Sequence, residues 1–217
     1  MAPSALDNGL RHRHSSVGRR EYTRMAFLRK DGESEGGRRF EGASVVLRPP
    51  TPADYLEWAE LREAGRAYLT PWEPTWGAEE TSRNSYRYKL RRYAEDARDD
   101  KAYAFFVFRK DDEALVGGLT LSNVRRGVAQ TCSLGYWAGE AYRGHGYTTA
   151  AVRAVVRYCF EELDLHRVEA ACQPENAPSR AVLEKAGFEH EGRARAYLKI
   201  NGAWRDHLLF ARVNEAI

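Results

Sequence analysis

The sequence has only three cysteines, Cys132, Cys159 and Cys172, each set in an apolar segment. An odd number, with no CxxC pair and no close Cys/His spacing, argues against a disulfide framework or a zinc site; reduced core residues and no metal are expected. No apolar run approaches the roughly 18 residues that cross a bilayer, and the N-terminus lacks the apolar core of a secretory signal. The expectation is a cytoplasmic protein with no membrane partner. An excess of one charge is also lacking: 34 Lys+Arg against 31 Asp+Glu leave a net charge of +3, which does not demand nucleic acid as a partner. There is no internal repeat.

What is present suffices for one core with an extension, since 43% of 217 residues are hydrophobic. Residues 1–43 are rich in Arg, Gly, Ser, His and Glu, without apolar periodicity, and are expected to be a disordered basic arm. Its stretch "RHRHSSVGRR" offers at most a weak ribosome or RNA contact or a targeting signal, a solvated tail being the better reading. Met25, opening "MAFLRK", is a sensible start codon that would leave residues 1–24 untranslated. The folded domain is expected over 44–217.

That domain opens with a β-branched run, "SVVLRPP", then a helix with Thr51 as cap, Pro52 in its first turn and Gly65 at its close. A second helix carries Tyr86, Leu90, Tyr93 and Ala97 as one apolar stripe, with a basic opposite face. Three β-rich runs follow, broken at Asp111-Asp112 and Arg126-Gly127, as in an antiparallel meander. Then come the loop "AYRGHGYTTAA", a buried helix, the strand "RVEAACQ", a short helix between Pro178 and Gly187, and a hairpin turning at Asn201-Gly202. The order β, α, α, β, β, β, α, β, α, β, β predicts an α+β, three-layer fold. Its sheet is mixed and mostly antiparallel, with one parallel βαβ crossover.

The glycine loop sits at that crossover. A strand-to-helix loop leaves the first helical N–H groups unpaired, and glycines let an anion approach them, so Arg143, Gly144, His145 and Gly146 are placed to cradle phosphates. A tight turn whose glycines serve only the backbone is the alternative. A Walker loop is excluded by the missing Gly-Lys-Ser/Thr. A dinucleotide fingerprint is excluded by Thr149 in place of the third glycine and by Glu169 standing mid-strand.

The loop resembles the acetyl-coenzyme A loop of the GNAT N-acetyltransferases, Gln/Arg-x-x-Gly-x-Gly/Ala, with Arg143, Gly146 and Thr148 at its fixed positions. Thr148 is larger than the usual residue there. "SLGYWAGEAYRG", "LHRVEAACQPENAPSRAVLEKAGFEHEGRAR", "LTPWEPTW" and "YLKINGAWRDHLLFA" extend the resemblance over about 44–214. They are similar to the RimJ/RimL branch, which acetylates N-terminal amines of ribosomal proteins. The resemblance implies the GNAT (acyl-CoA N-acyltransferase) fold and acetyl-CoA as co-substrate. It also implies two splayed strands, with Tyr136, Trp137 and Ala138 pairing with the pantetheine arm and Arg143 to Thr148, Tyr147 included, at the pyrophosphate.

Asn176 and Ser179 match the family's Asn-x-x-Ser, which implies cofactor contact for both and makes the Ser179 hydroxyl the candidate acid for the departing thiolate. A capping role beside Pro178 is the plainer reading of Ser179. For the base, Glu73, Glu140 and Asp206 are candidates, with Glu73 favoured; Leu198 stands where some relatives carry a glutamate, a departure that leaves the base open. An α-amine of pKa about 7.7 to 8.0 needs less help than a lysine of pKa about 10.4. Trp72, Trp76, Tyr197 and Trp204 are expected to wall the acceptor channel, and His145 to be a bystander unless protonated.

The activity expected is direct transfer of an acetyl group to a protein N-terminus by a monomer or homodimer. A small amine, such as an antibiotic, polyamine or amino-acid analogue, is the alternative acceptor. A non-catalytic GNAT-like module that senses acyl-CoA, or docks on RNA or the ribosome through the Arg-rich arm and the basic face of residues 83–98, is the third reading.

Overall fold

The computed structural model describes residues 38–216. The expectations placed on 1–37, including the Met25 start, lie outside the described residues. The ordered fold reaches upstream of the expected boundary at 44: β1 (Phe40–Glu41) pairs antiparallel with β2 (Val45–Arg48). The cause is one aromatic in a polar stretch, because Phe40 stacks on Tyr158 at 4.8 Å and meets Phe105 edge-on at 5.0 Å.

The remaining elements follow in the expected order. They are α1 (Tyr55–Ala64), a short α2 (Arg66–Leu69), α3 (Arg83–Arg98), β3 (Tyr103–Arg109), β4 (Leu115–Arg125) and β5 (Thr131–Ala138). Then come α4 (Tyr147–Glu161), β6 (Arg167–Cys172), α5 (Ala177–Lys185), β7 (Glu189–Ile200) and β8 (Ala203–Val213). One eight-stranded sheet runs β1-β2-β3-β4-β5-β6-β8-β7, and β5 with β6 is its parallel pair. Asn201 and Gly202, both at positive φ (44° and 80°), make the tight β7–β8 turn.

Strand parity sorts the core into two layers. On β3, Phe105 and Val107 point to the face covered by α4 and α5, while Phe106 and Phe108 point to the face where Trp58 of α1 and Tyr86 of α3 pack. The β5 residues continue the alternation: Tyr136 joins the α4/α5 face and Trp137 the α1/α3 face. This split sends two neighbouring residues of one strand to opposite faces of the sheet at the site described below.

The entry to α1 is held by a buried carboxylate. Asp54 accepts two hydrogen bonds from Arg48 (2.8 and 2.6 Å) and two from Thr51, through its N–H (2.7 Å) and hydroxyl (2.9 Å). Burial pushes the Asp54 pKa up, but the hydrogen bonds from Arg48 and Thr51 outweigh it and hold the group below its ordinary value. A depressed carboxylate contributes stability that is present above the unfolded pKa, about 3.9, and is lost as pH falls through the folded one. Asp54→Asn is therefore expected to cost about 2 kcal/mol at pH 7, and to leave a shallower decline of stability on acidification. Urea denaturation at pH 7 and pH 3 checks both; equal loss at the two pH values would contradict the assignment.

Candidate active site

β5 and β6 run in register from Thr131↔Arg167 to Leu134↔Ala170 and then part. Beyond that point Gly135–Ala138 pair only with β4, and Ala171 and Cys172 only with β8. The β5 edge facing β6 thus carries peptide groups with no strand partner, which an extended amide-bearing ligand can satisfy. A cleft of about 650 Å³ opens at this wedge, with Tyr136, Trp137 and Ala138 on one side and Ala171, Cys172 and Gln173 on the other.

One end of the cleft is the glycine loop. Gly144 (φ 77°) and Gly146 (φ 80°) take the left-handed conformation, and Gly146 is the residue from which α4 starts. The α4 residues Tyr147 to Thr149 have no carbonyl four residues back within the helix, so their N–H groups point into the loop. Arg143 stands over the Tyr68 ring at 4.4 Å and lines the cleft. A second cleft, of about 750 Å³, lies outside the loop, with His145, Arg153, Arg157 and Lys185 on its wall. The two clefts meet at Gly144, Thr148, Pro178 and Val182, so Thr148 stands at the junction. Tyr147, expected among the cofactor contacts, lines neither cleft. Its ring stacks on His145 at 5.8 Å and packs against Tyr142 and the core, which leaves only its N–H facing an anion. Arg153, Arg157 and Lys185 were not singled out from sequence, although the i, i+4 spacing of the two arginines on one helix was a readable signal.

At the middle of the wedge, Asn176 caps α5 by accepting the Ser179 N–H at 3.1 Å. Ser179 Oγ lies 2.9 Å from Tyr136 Oη, and the Tyr136 hydroxyl also reaches the Ser179 carbonyl at 3.1 Å. Burial pushes the Tyr136 phenol well above its ordinary pKa, against a smaller opposing effect of Ser179, so it stays a neutral donor. Cys172 is likewise raised, first by burial, with a hydrogen bond to Ser179 acting the other way. Its thiol is protonated at neutral pH and is no nucleophile. The other two cysteines, Cys132 and Cys159, are buried in the α4 core with sulfurs 3.9 Å apart.

The far end is built from the loop after α2 and the β7–β8 hairpin. Glu73 lines the cleft, but its carboxylate is already engaged: Oε1 accepts from Arg62 Nη1 (2.7 Å), and Oε2 from Arg62 Nη2 (2.6 Å) and Trp76 Nε1 (2.8 Å). The Arg62 guanidinium lies over Trp76 at 4.2 Å and over Trp137 at 5.0 Å. Asn201 N–H donates to the Glu73 carbonyl, and Gln173 Nε2 to the Pro71 carbonyl, both at 2.9 Å; these bonds tie the loop to the hairpin and to the end of β6. Of the expected aromatic wall, Trp72 lines the cleft and Tyr197 packs on His207, whereas Trp204 is 65% exposed. Glu140 also lines the cleft, near the Arg143 end. Asp206 does not line it and is held by Arg193 and by the Ala196 N–H. His207, which sequence reasoning missed, is buried on the cleft wall.

A family model described as an acetyltransferase (GNAT) domain matches residues 44–189. The chain belongs to the GNAT acetyltransferase family. This GNAT enzyme is 37% identical over 174 residues to the protein named "Probable N-acetyltransferase YjcK" of Bacillus subtilis, which spans 80% of this chain and 96% of that one. It is 34% identical over 167 residues to the ribosomal protein uS5-alanine N-acetyltransferase of Escherichia coli, over 77% of this chain and 86% of that one. The solved structure of Mycobacterium smegmatis RimJ in complex with CoA-disulfide superposes with a TM-score of 0.76 at 36% identity, covering 84% of this chain and 88% of that one. The α+β GNAT fold and the N-acetyltransferase class expected from sequence both stand. Among the described residues of this GNAT chain no helix is long and apolar enough to cross a membrane.

Proposed function

We propose that this acetyltransferase takes acetyl groups from acetyl-CoA and transfers them directly to the N-terminal α-amine of a protein, a ribosomal protein being the substrate class and the cytoplasm its place of action. The observation that carries the reading is the parting of β5 from β6 after Leu134, with an anion cradle at one end and hydroxyl donors beside it. The names of the uS5-alanine relative and of the CoA-bound neighbour support donor and acceptor alike. Bound acetyl-CoA supplies a thioester, whose acetyl carbon is transferred and whose sulfur leaves.

In this reading the free edge at Tyr136 and Ala138 orders the pantetheine amides, with Trp137 between them held to Gly118 of β4. Arg143, Gly144, His145, Gly146 and Thr148, with the Tyr147 N–H, hold the pyrophosphate. Asn176 sets the start of α5, and Ser179, backed by Tyr136, donates to the leaving sulfur. The basic face of α3, including Arg87 and Arg91, is assigned a weak, salt-sensitive ribosome contact. Glu73 serves as the anchor of Arg62 at the acceptor end.

An acceptor screen tests the reading. Peptides starting with Ala or Ser should be acetylated on the α-amine, with kcat/KM at least about tenfold above aminoglycosides, polyamines and free amino acids. A preference for any small amine would transfer the assignment to that acceptor class.

A further inference from the structure

We propose that His207 is the general base of the transfer, its Nε2 taking the proton of the acceptor amine. The proposal rests on the acetyltransferase reading above and adds the residue which that reading leaves without a name. His207 is 3% exposed and is the one buried histidine among the described residues, yet it lines the wedge cleft. Its Nδ1 lies 3.0 Å from the Arg205 carbonyl oxygen. A carbonyl only accepts, so Nδ1 carries the hydrogen, and the neutral ring keeps its lone pair on Nε2. The Tyr197 ring, 5.8 Å away and inclined at 66°, packs against the imidazole and restricts its rotation.

Strand parity puts this imidazole on the correct side. Leu208 of β8 stands opposite Cys172 of β6, the residue that contacts Ser179, so both belong to the face from which the acid acts. His207, one residue earlier, projects from the other face, toward the loop that carries Glu73. A donor for the departing sulfur and an acceptor for the amine proton are therefore set on opposite faces of one sheet. The three carboxylates considered from sequence are otherwise engaged. Glu73 is held at both oxygens by Arg62 and at one also by Trp76, Glu140 lies at the glycine-loop end beside Arg143, and Asp206 is outside the cleft.

The amine nitrogen bonds to the acetyl carbon and gives one proton to His207 Nε2; the carbon–sulfur bond breaks with its electron pair on sulfur, which is protonated through Ser179; His207 returns its proton to water, replacing the one drawn through Ser179. Titratable groups beside the ring are Arg205 and Asp206 on its own strand and Tyr197 on β7, while Glu73, Cys172 and Tyr136 line the same cleft. A general base makes kcat rise with pH, so the kcat–pH profile of the parent protein should carry a rising limb that depends on His207.

The test is His207→Gln, assayed with acetyl-CoA and an alanine-initiated hexapeptide. The expected result is a fall in kcat of about 10²-fold at pH 7 and loss of the rising limb, with calorimetric acetyl-CoA affinity within about twofold of the parent. Independently of activity, ¹⁵N NMR of the parent protein should show the His207 ring as the Nδ1–H tautomer. A variant that keeps its kcat and its limb overturns the proposal, as does an Nε2–H tautomer. A parent enzyme inactive on every amine would instead overturn the transfer reading, and the tautomer would still decide the chemistry available to His207. If the variant fails to fold, the pH profile and tautomer of the parent protein decide the matter.

Discussion

Ser179→Ala is expected to lower kcat for acetyl transfer by about 10²-fold or more while changing acetyl-CoA affinity only about twofold. The split follows from which atoms of Ser179 do what. Its N–H satisfies the Asn176 cap and its carbonyl accepts from Tyr136, and alanine keeps both. Only the hydroxyl disappears, and with it the group 2.9 Å from Tyr136 Oη that faces the wedge. The leaving thiolate, whose conjugate thiol has a pKa near 8.5 when unperturbed, then departs without a positioned donor. Tyr136→Phe should show a smaller loss, about tenfold, because it removes the backing of the donor and leaves the donor itself. Steady-state kinetics, calorimetry and a melting curve on the two variants check the order. An unchanged kcat in Ser179→Ala would reduce that serine to a helix-start residue.

Much of this arrangement was legible in the sequence, and the part that was not has a common physical cause. Local signals held: the glycine loop, the Asn201-Gly202 turn, the α3 stripe with Tyr86 buried, and the crossover that forces β6 to lie parallel to β5. Features that depend on a few apolar atoms in a polar setting were lost. Strand β1 has a single aromatic anchor, Phe40, beside polar contacts of Glu41 with Arg157 and Lys110, and the first half of β7, "EHEGRARA", is a charged edge strand whose composition reads as loop. The site divides the same way. Loop residues announce themselves by backbone chemistry, whereas the Tyr136–Ser179 contact spans 43 positions and the Arg62–Glu73 pair joins a helix to a loop. Parity along β5 would have put Tyr136 on the α5 face, and a histidine in the alternating strand "WRDHLLFA" was the available hint of a polar group pointing inward.

Glu73→Ala is expected to destabilise the fold by about 3–5 kcal/mol, the largest single effect of any substitution considered. The Arg62 side chain is 8% exposed, and its charge is compensated by the two Glu73 oxygens and by the faces of Trp76 and Trp137. Removing the carboxylate strands that charge, and its Nε has no hydrogen-bond partner to fall back on. The melting temperature should drop by roughly 10 °C, taking about 2–4 °C per kcal/mol for a domain of this size. Replacing both partners, as in Arg62→Met with Glu73→Leu, should recover most of the loss, because an apolar pair needs no compensation. Failure of the double variant to regain stability would show that the pair contributes geometry that packing cannot replace. Glu73→Gln separates structure from chemistry. An amide cannot accept from Arg62 through both atoms, so stability should fall, yet the kcat–pH profile should keep its rising limb because the proton goes to His207. Loss of that limb in Glu73→Gln, with the histidine intact, would return the base to Glu73. The Trp137 ring lies 5.0 Å from the guanidinium, and its backbone, paired with Gly118 of β4, sits between Tyr136 and Ala138, whose peptide groups face the free β5 edge. Any loosening of Arg62 should therefore also raise the KM for acetyl-CoA, tying the acceptor loop to the donor wedge through one buried ion pair.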